Sequence, residues 1–354
     1  AFSVLGGDTA SALAAGCSVV IKAHGGHLQL SNRVFGLIQG VLSKLGLPAG
    51  LIGMVQGPGN EIGVALIRHP AIAAGAFTGS TRGGAALAAQ AASRPHPIPF
   101  FGELGSINPV VILPKLLQEQ GAALATTLAG SITLGCGQFC TNPGLLVLID
   151  GVANASDSVA VNDAFVAQLT EAIKAQQPHA MLTPHMRSAF ESGVAAWDAA
   201  GATMLQHEKA AEGQPPRPVL AQATAECFLA QHALHEEVFG PSSLIIRASN
   251  VSQALAVLAA VGGSLTVTLL GAQDDTPEHR QLVSQAMAIA GRVLFTGVPT
   301  GVAVTAAQQH GGPWPSSTRP ESTSVGDAAL TRFLRPVCLQ DAPAWLIGRA
   351  GQPL

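Results

Sequence analysis

The chain of 354 residues has no tyrosine, few charged residues (11%) and no CxxC pair among its five cysteines. The missing tyrosine excludes nothing by itself. Scarce charge beside 48% hydrophobic residues excludes a disordered polymer, which needs the opposite balance. It leaves material for a large core and two or three domains. A net charge of −3 supplies no basic field, so neither nucleic acid nor an anionic membrane is an expected partner. Cys17, Cys136, Cys140, Cys227 and Cys338 are scattered and odd in number. That pattern speaks for reduced thiols in the cytoplasm rather than a disulfide framework. No second Cys/His pair completes a four-ligand set around Cys136 and Cys140, and no HExxH occurs, so no metal site is expected. Uncharged stretches at Gly121–Ile149 and Val251–Ala272 are interrupted by Gly, Asn, Pro or Gly262-Gly263. Each therefore reads as a buried helix followed by a buried strand, not a membrane span. The opening Ala1-Phe2-Ser3 has no leader character.

Alternating helix and strand signals fill the first hundred residues. Asp8 or Thr9 caps a helix ended by Gly16, and Val19–Ile21 is a strand. Ser31 caps a helix with Val34, Ile38, Val41, Leu42 and Leu45 on one face. Strands at 51–55 and 75–78 alternate with helices at 60–68 and 81–92, which predicts one parallel sheet with helices on both faces. Ile98–Leu104 is an apolar strand, followed by a strand at 109–113 and a long helix over 115–134. A second α/β series runs from Gly144, with a surface insertion at Gln206–Arg217 and a Gly/Pro/Ser-rich loop at His310–Ser324. Phe333–Gln340 is the last strand candidate, and the fold class is α/β.

Two short segments carry chemistry. Cys140 lies in Gly137-Gln138-Phe139-Cys140-Thr141-Asn142-Pro143, among turn formers that leave its sulfur at a loop edge. Glu103 lies in Gly102-Glu103-Leu104-Gly105 after the apolar strand, where burial would raise a carboxyl pKa toward basic function. A thiol and a carboxylate are the minimum for making and hydrolysing a thioester. Gly79-Ser80-Thr81-Arg82-Gly83-Gly84 follows a strand and opens a helix, a place where backbone approaches phosphate, although it is not the GxGxxG fingerprint. Taken alone, Cys140 reads more readily as packing, Glu103 as a cap or ion-pair member, Lys22 as a solvated charge, and Glu236–Pro241 as a turn.

These segments, in this order, resemble the signature motifs of the aldehyde dehydrogenase superfamily. The resemblance implies an aldehyde dehydrogenase fold with an incomplete Rossmann-like cofactor domain at 1–105. A catalytic thiol domain at 106–311 follows, then a C-terminal loop and oligomerisation strand at 312–354. It implies Cys140 as nucleophile and Glu103 as activator of the deacylating water. Lys22, Gly79, Ser80, Gly84, Leu104, Glu237 and Phe239 would bind the cofactor, NADP or NAD. Where NAD-preferring members carry a glutamate three residues after the lysine, this chain has Gly25. Losing that carboxylate removes repulsion against a 2′-phosphate, so NADP is expected to be tolerated or preferred. Gly297–Val302, His310–Pro315, Ser324-Val325-Gly326 and Phe333–Cys338 are similar to a narrower group, the ketoglutarate-semialdehyde and NADP-using fatty-aldehyde dehydrogenases.

The implied partners are a small aldehyde, with 2,5-dioxopentanoate as the candidate, and further copies of the chain in a dimer or tetramer. Family members also carry a long segment ahead of the position matched by Ala1. It includes an asparagine whose amide joins the cysteine N–H in the oxyanion hole, and one such donor is worth about 10²–10³ in rate. A truncated member is therefore expected, with a catalytically impaired fragment as the first alternative. A non-redox cysteine acyl-transfer enzyme is the second.

Overall fold

The computed structural model describes residues 3–151 and 157–347. Ala1, Phe2 and residues 348–354 of the expected C-terminal unit lie outside the described residues. The first series is α1 (Thr9–Ala14), β1 (Val19–Lys22), α2 (Leu28–Lys44), β2 (Ile52–Val55), α3 (Gly59–Arg68), β3 (Gly75–Thr78), α4 (Thr81–Ala92) and β4 (Phe100–Glu103). The alternation agrees with the sequence reading, but the single sheet does not form. β1 pairs only with β2 and β3 only with β4, both parallel, giving two separate two-stranded sheets. Each strand has four residues, and each pair closes over its own crossover helix around a separate small cluster. Ile21, Leu42 and Ile52 form one cluster; Ile67, Ala91 and Phe100 form the other.

Local capping also departs from expectation. Asp8 makes no cap hydrogen bond, because a π-helical turn at Ser3–Asp8 runs straight into α1. Its carboxylate is buried against Arg332 at 2.8 Å instead, tying α1 to a 3-10 turn at Asp327–Phe333. Ser31 lies inside α2, where its hydroxyl meets His27 Nδ1 at 3.1 Å. Of the face expected on that helix, only Leu42 is buried, while Val41 and Leu45 stay exposed.

The second series is β5 (Val110–Ile112), α5 (Pro114–Thr133), β6 (Leu145–Ile149), α6 (Ser158–Lys174), α7 (Pro184–Ala199), β7 (Thr203–Gln206), β8 (Val219–Thr224), α8 (Ala225–Ala230), β9 (Ser242–Ala248), α9 (Val251–Val261), β10 (Ser264–Leu270), α10 (Pro277–Ile289) and β11 (Ala290–Leu294). It builds one seven-stranded sheet in the order β11-β10-β5-β6-β9-β8-β7. All neighbours are parallel except β7 and β8, which are joined by the expected surface insertion. Period-two alternation splits the core between the two faces. Val110, Ile112, Leu146 and Leu148 pack with Leu128, Ile132, Phe165 and Leu169 of α5 and α6. Val111, Leu145, Val147 and Ile149 pack with Val257, Leu258 and Leu282 of α9 and α10. All five residues of β6 are buried. At roughly 1.5–3 kcal/mol per buried aliphatic side chain, they outweigh the ~1–2 kcal/mol per residue of backbone ordering. Among the described residues no helix is long and apolar enough to cross a membrane.

After β11 the chain carries no helix or strand until residue 327, consistent with the long loop expected at 310–324. That loop is laid onto both parts of the molecule. Leu104 N–H donates to Ser316 O (2.8 Å), and Thr318 N–H donates to Gly102 O (3.0 Å) beside β4. On the other side a Cβ at Gly263 or Gly291 would stand 2.1 Å from Pro313 O or 2.3 Å from Gly311 O. The strand expected at Phe333–Gln340 is absent. Phe333 ends the 3-10 turn, and Leu334, Val337 and Leu339 are exposed. A strand needs a hydrogen-bonded neighbour, and no strand described in this chain pairs with that segment.

Candidate active site

Cys140 is placed by a helix end that only particular residues can make. α5 stops at Thr133, and Gly135, Cys136 and Gly137 follow with φ of 57°, 61° and 64°. At Gly137 a Cβ would stand 2.0 Å from Gly240 O, so no other residue fits that left-handed turn. Cys136 turns inward, donates to His179 O at 3.0 Å, and is pushed up to about 11 by burial, which leaves it inert. Cys140 is half-buried in the loop beyond.

Asn108 fixes that loop from below. It is fully buried with φ of 53°, and its Nδ2 donates to Ser106 O (3.1 Å), Cys140 O (2.9 Å) and Asn142 O (3.0 Å). Its Oδ1 accepts from Ser106 Oγ (2.7 Å) and Thr266 Oγ1 (3.1 Å), so one amide joins the glutamate loop, the cysteine loop and β10. Asn108→Ala is expected to lower stability by about 3 kcal/mol or more. Buried carbonyls lose their donor, and alanine tolerates the left-handed φ poorly. A melting curve checks this, with a fall of roughly 5–10 °C expected.

Above the loop three side chains meet. His310 Nε2 stands 3.5 Å from Cys140 Sγ and 3.1 Å from Glu103 Oε1. Ser324 Oγ donates to Glu103 Oε2, and its backbone N–H donates to His310 O at 2.8 Å. His310 N–H in turn donates to Thr323 Oγ1 at 2.8 Å, so the loop grips its own histidine. Burial opposes charge on His310, but its bonds to Cys140 and Glu103 prevail and raise it to about 10. Burial likewise raises Glu103, yet the bonds from His310, Ser324 and Cys140 prevail and hold it below the ordinary carboxylate value. This corrects the expectation that burial would leave Glu103 raised: a buried cation sits beside it. The site thus places His310 Nε2 between the Cys140 sulfur and the Glu103 carboxylate.

Gly105 marks a second junction. A Cβ there would stand 2.6 Å from Glu237 Oε2 and 2.8 Å from Thr81 Oγ1, so the glutamate loop, the N-terminus of α4 and Glu237 meet. Glu237 is exposed, with protein crowded about its carboxyl. That crowding pushes its carboxyl up to about 7, against a hydrogen bond from Ser106 N–H. Phe239 lines the same recess with Glu237 and Ser106. Gly79 and Ser80 are exposed at the start of α4, where Ser80 Oγ accepts from Gly83 N–H at 3.2 Å. Gly84 and Leu104 play a different part: a Cβ at Gly84 would stand 2.0 Å from Leu104 Cδ2, so the pair locks α4 onto the glutamate loop and Leu104 is buried. Lys22 lies on the β1–β2 pair, where a Cβ at Gly59, the first residue of α3, would stand 3.7 Å from its Nζ. Exposed Gly25 opens a 3-10 turn beside it.

His310, Ser324 and Asn108 were not singled out from sequence as site residues; the histidines read as scattered polar or core groups. The available signal was the placement of His310 before Gly311-Gly312 in a Gly/Pro-rich loop. The sequence profile described as "Aldehyde dehydrogenase family" matches residues 1–329. The chain is 45% identical over 345 residues to alpha-ketoglutaric semialdehyde dehydrogenase 2 of Azospirillum brasilense, covering 97% of this chain and 64% of that protein. It is 39% identical over 369 residues to the alpha-ketoglutaric semialdehyde dehydrogenase of Acinetobacter baylyi, covering 100% and 66%. It thus spans just under two thirds of the length of these relatives. In three dimensions it is similar to the putative methylmalonate-semialdehyde dehydrogenase from Sinorhizobium meliloti 1021 complexed with NAD (TM-score 0.74, 18% identity, 92% of this chain and 64% of that one). It is likewise similar to the gamma-glutamyl-gamma-aminobutyraldehyde dehydrogenase from Burkholderia cenocepacia (TM-score 0.75, 22% identity, 92% and 63%). At those identities the structural likeness speaks for the fold alone. Profile, relatives and fold agree, and the chain belongs to the aldehyde dehydrogenase family.

Proposed function

We propose that this chain carries the catalytic machinery for NAD(P)-dependent oxidation of an aldehyde to its carboxylic acid. The carrying observation is the contact of Cys140 Sγ with His310 and of His310 with Glu103. Sulfur attacks the aldehyde carbon as thiolate, with His310 as its counter-cation, and His310 passes its proton to the carbonyl oxygen. A thiohemiacetal results. A nicotinamide, when bound, would supply the acceptor for the hydride leaving that carbon. The hydroxyl proton returns to His310 and a Cys140 thioester remains. Glu103, held ionised, takes a proton from water as the oxygen adds to the acyl carbon. The C–S bond then breaks and the acid leaves.

The residues present suit such a cofactor. Exposed Gly79 and Ser80 open α4, whose first-turn backbone N–H groups suit a phosphate, while Gly79 N–H is itself bonded to Glu103 O at 3.1 Å; Glu237 offers its carboxylate to ribose hydroxyls beside Phe239. Gly84 and Leu104 support that cradle. Lys22 and Gly25 favour NADP, since no carboxylate replaces the missing one at position 25. The names of the relatives support 2,5-dioxopentanoate as the aldehyde. The same reading divides the chain into a cofactor unit at 1–105, a thiol domain at 106–311 and a C-terminal segment at 312–354. It takes the working protein as a dimer or tetramer in the cytoplasm, which the free thiols suit.

The test is to mix the chain with 2,5-dioxopentanoate and either cofactor and follow the absorbance of reduced nicotinamide. Turnover with NADP at least as good as with NAD is expected. No reduced cofactor from a folded chain would sink the proposal, and a strong NAD preference would sink its cofactor part.

A further inference from the structure

Arg292 stands in β11 with a charge that nothing in the described chain balances. Arg187, Arg217, Arg247, Arg280, Arg319 and Arg332 each have a carboxylate within 4 Å. Among the described residues Arg33, Arg68, Arg82, Arg94, Arg292 and Arg335 have none, and of these only Arg292 has a buried guanidinium nitrogen without a partner. Its Nη2 donates to Pro299 O (2.9 Å) and Gly301 O (3.1 Å), while its Nε is buried without a partner. The contacts lead through one turn to the residue after the nucleophile. Gly301 N–H donates to Thr141 Oγ1 (3.2 Å), and Thr141 follows Cys140 in the chain. Thr300 Oγ1 meets Ser131 Oγ at 2.6 Å and reinforces the turn from the α5 side. Burial lowers Arg292 below the ordinary arginine value, and the one opposing influence is Cys140 itself.

An unpaired guanidinium in a half-buried setting is costly, since desolvation is met by no counter-charge. The cost is recovered if the counter-charge arrives with a ligand, and the planar guanidinium is suited to a carboxylate. We propose that Arg292 anchors the far carboxylate of an oxo-acid substrate, holding the aldehyde end toward Cys140 and selecting acid-bearing aldehydes over neutral ones. This rests on Cys140 being the reacting group. It assigns Arg292 as a specificity-determining residue, not one that takes part in bond making.

The experiment is calorimetric titration of the whole chain with glutarate, a five-carbon dicarboxylate, and with its neutral counterpart glutaramide. Glutarate is expected to bind the unmodified chain and the Cys140→Ala variant alike. It should bind Arg292→Gln at least tenfold more weakly, with Arg292→Lys between. Glutaramide should bind the unmodified chain at least tenfold more weakly than glutarate. Equal glutarate binding with and without Arg292, no glutarate binding to the unmodified chain, or equal binding of the two probes would overturn the assignment. The two-probe comparison stands even if Arg292→Gln fails to fold. Binding needs neither cofactor nor turnover, so a chain that binds glutarate through Arg292 but oxidises nothing defeats only the dehydrogenase reading. Conversely, an active chain whose kcat/KM ratio between acid-bearing and neutral aldehydes is unchanged in Arg292→Gln defeats only the anchor.

Discussion

Cys140→Ala is expected to reduce formation of reduced cofactor by at least about 10⁴-fold while leaving the fold intact. The size follows from the role: removing the atom that bonds to substrate disables every later step, as losses at covalent nucleophiles do. Intact folding follows from the surroundings. Cys140 is half-buried, and Asn108 holds it through the backbone carbonyl, which alanine retains. Cys136 is no substitute nucleophile, because its thiol faces His179 O and burial has raised it to about 11. Absorbance at the reduced-nicotinamide band and a melting curve check the two halves together. Residual turnover near the original rate would remove Cys140 from the chemistry.

Glu103→Gln carries the second large effect. The amide keeps the shape of the side chain but cannot accept a proton, so hydrolysis of the thioester is expected to slow by about 10²–10⁴-fold. Acylation requires Cys140 and His310 first, so rapid kinetics should show one equivalent of reduced cofactor per site followed by a stall. That outcome separates Glu103 from a purely structural part, which would depress the burst and the steady state together. His310 loses its counter-charge in this variant, and a partial slowing of the burst is consistent with that loss.

How far the site was legible in the sequence differs residue by residue. Cys140 and Glu103 could be singled out as candidates because the turn formers around each are contiguous: Gly137 makes the left-handed turn and Gly102 to Gly105 bound the carboxylate. Helix α4 could be bounded at Thr81–Ala92 because Ser80 caps it locally. His310 could not be found this way. It reaches Cys140 from 170 positions along the chain, carried by a loop whose path is set by main-chain bonds to Gly102 and Leu104 and by the glycines at 263 and 291. The sign of the Glu103 shift was misread for the same reason, since the buried cation that lowers it comes from that loop. Asp8 resembled a cap because capping is a local pattern, whereas its real partner, Arg332, lies at the other end of the chain. The division of the first four strands into two pairs was likewise invisible, because alternation specifies parallel pairing but not how many pairs join.

The central claim is that Cys140, with His310 and Glu103 beside it, forms and then hydrolyses a thioester on an oxidised aldehyde. Intact-mass and fragment spectrometry of Glu103→Gln, incubated with 2,5-dioxopentanoate and NADP, tests it most directly. The account predicts one covalent acyl group, equal to the aldehyde less two hydrogens, located on Cys140 and absent when NADP is withheld. An unmodified Cys140, or the same acyl mass without cofactor, would contradict it.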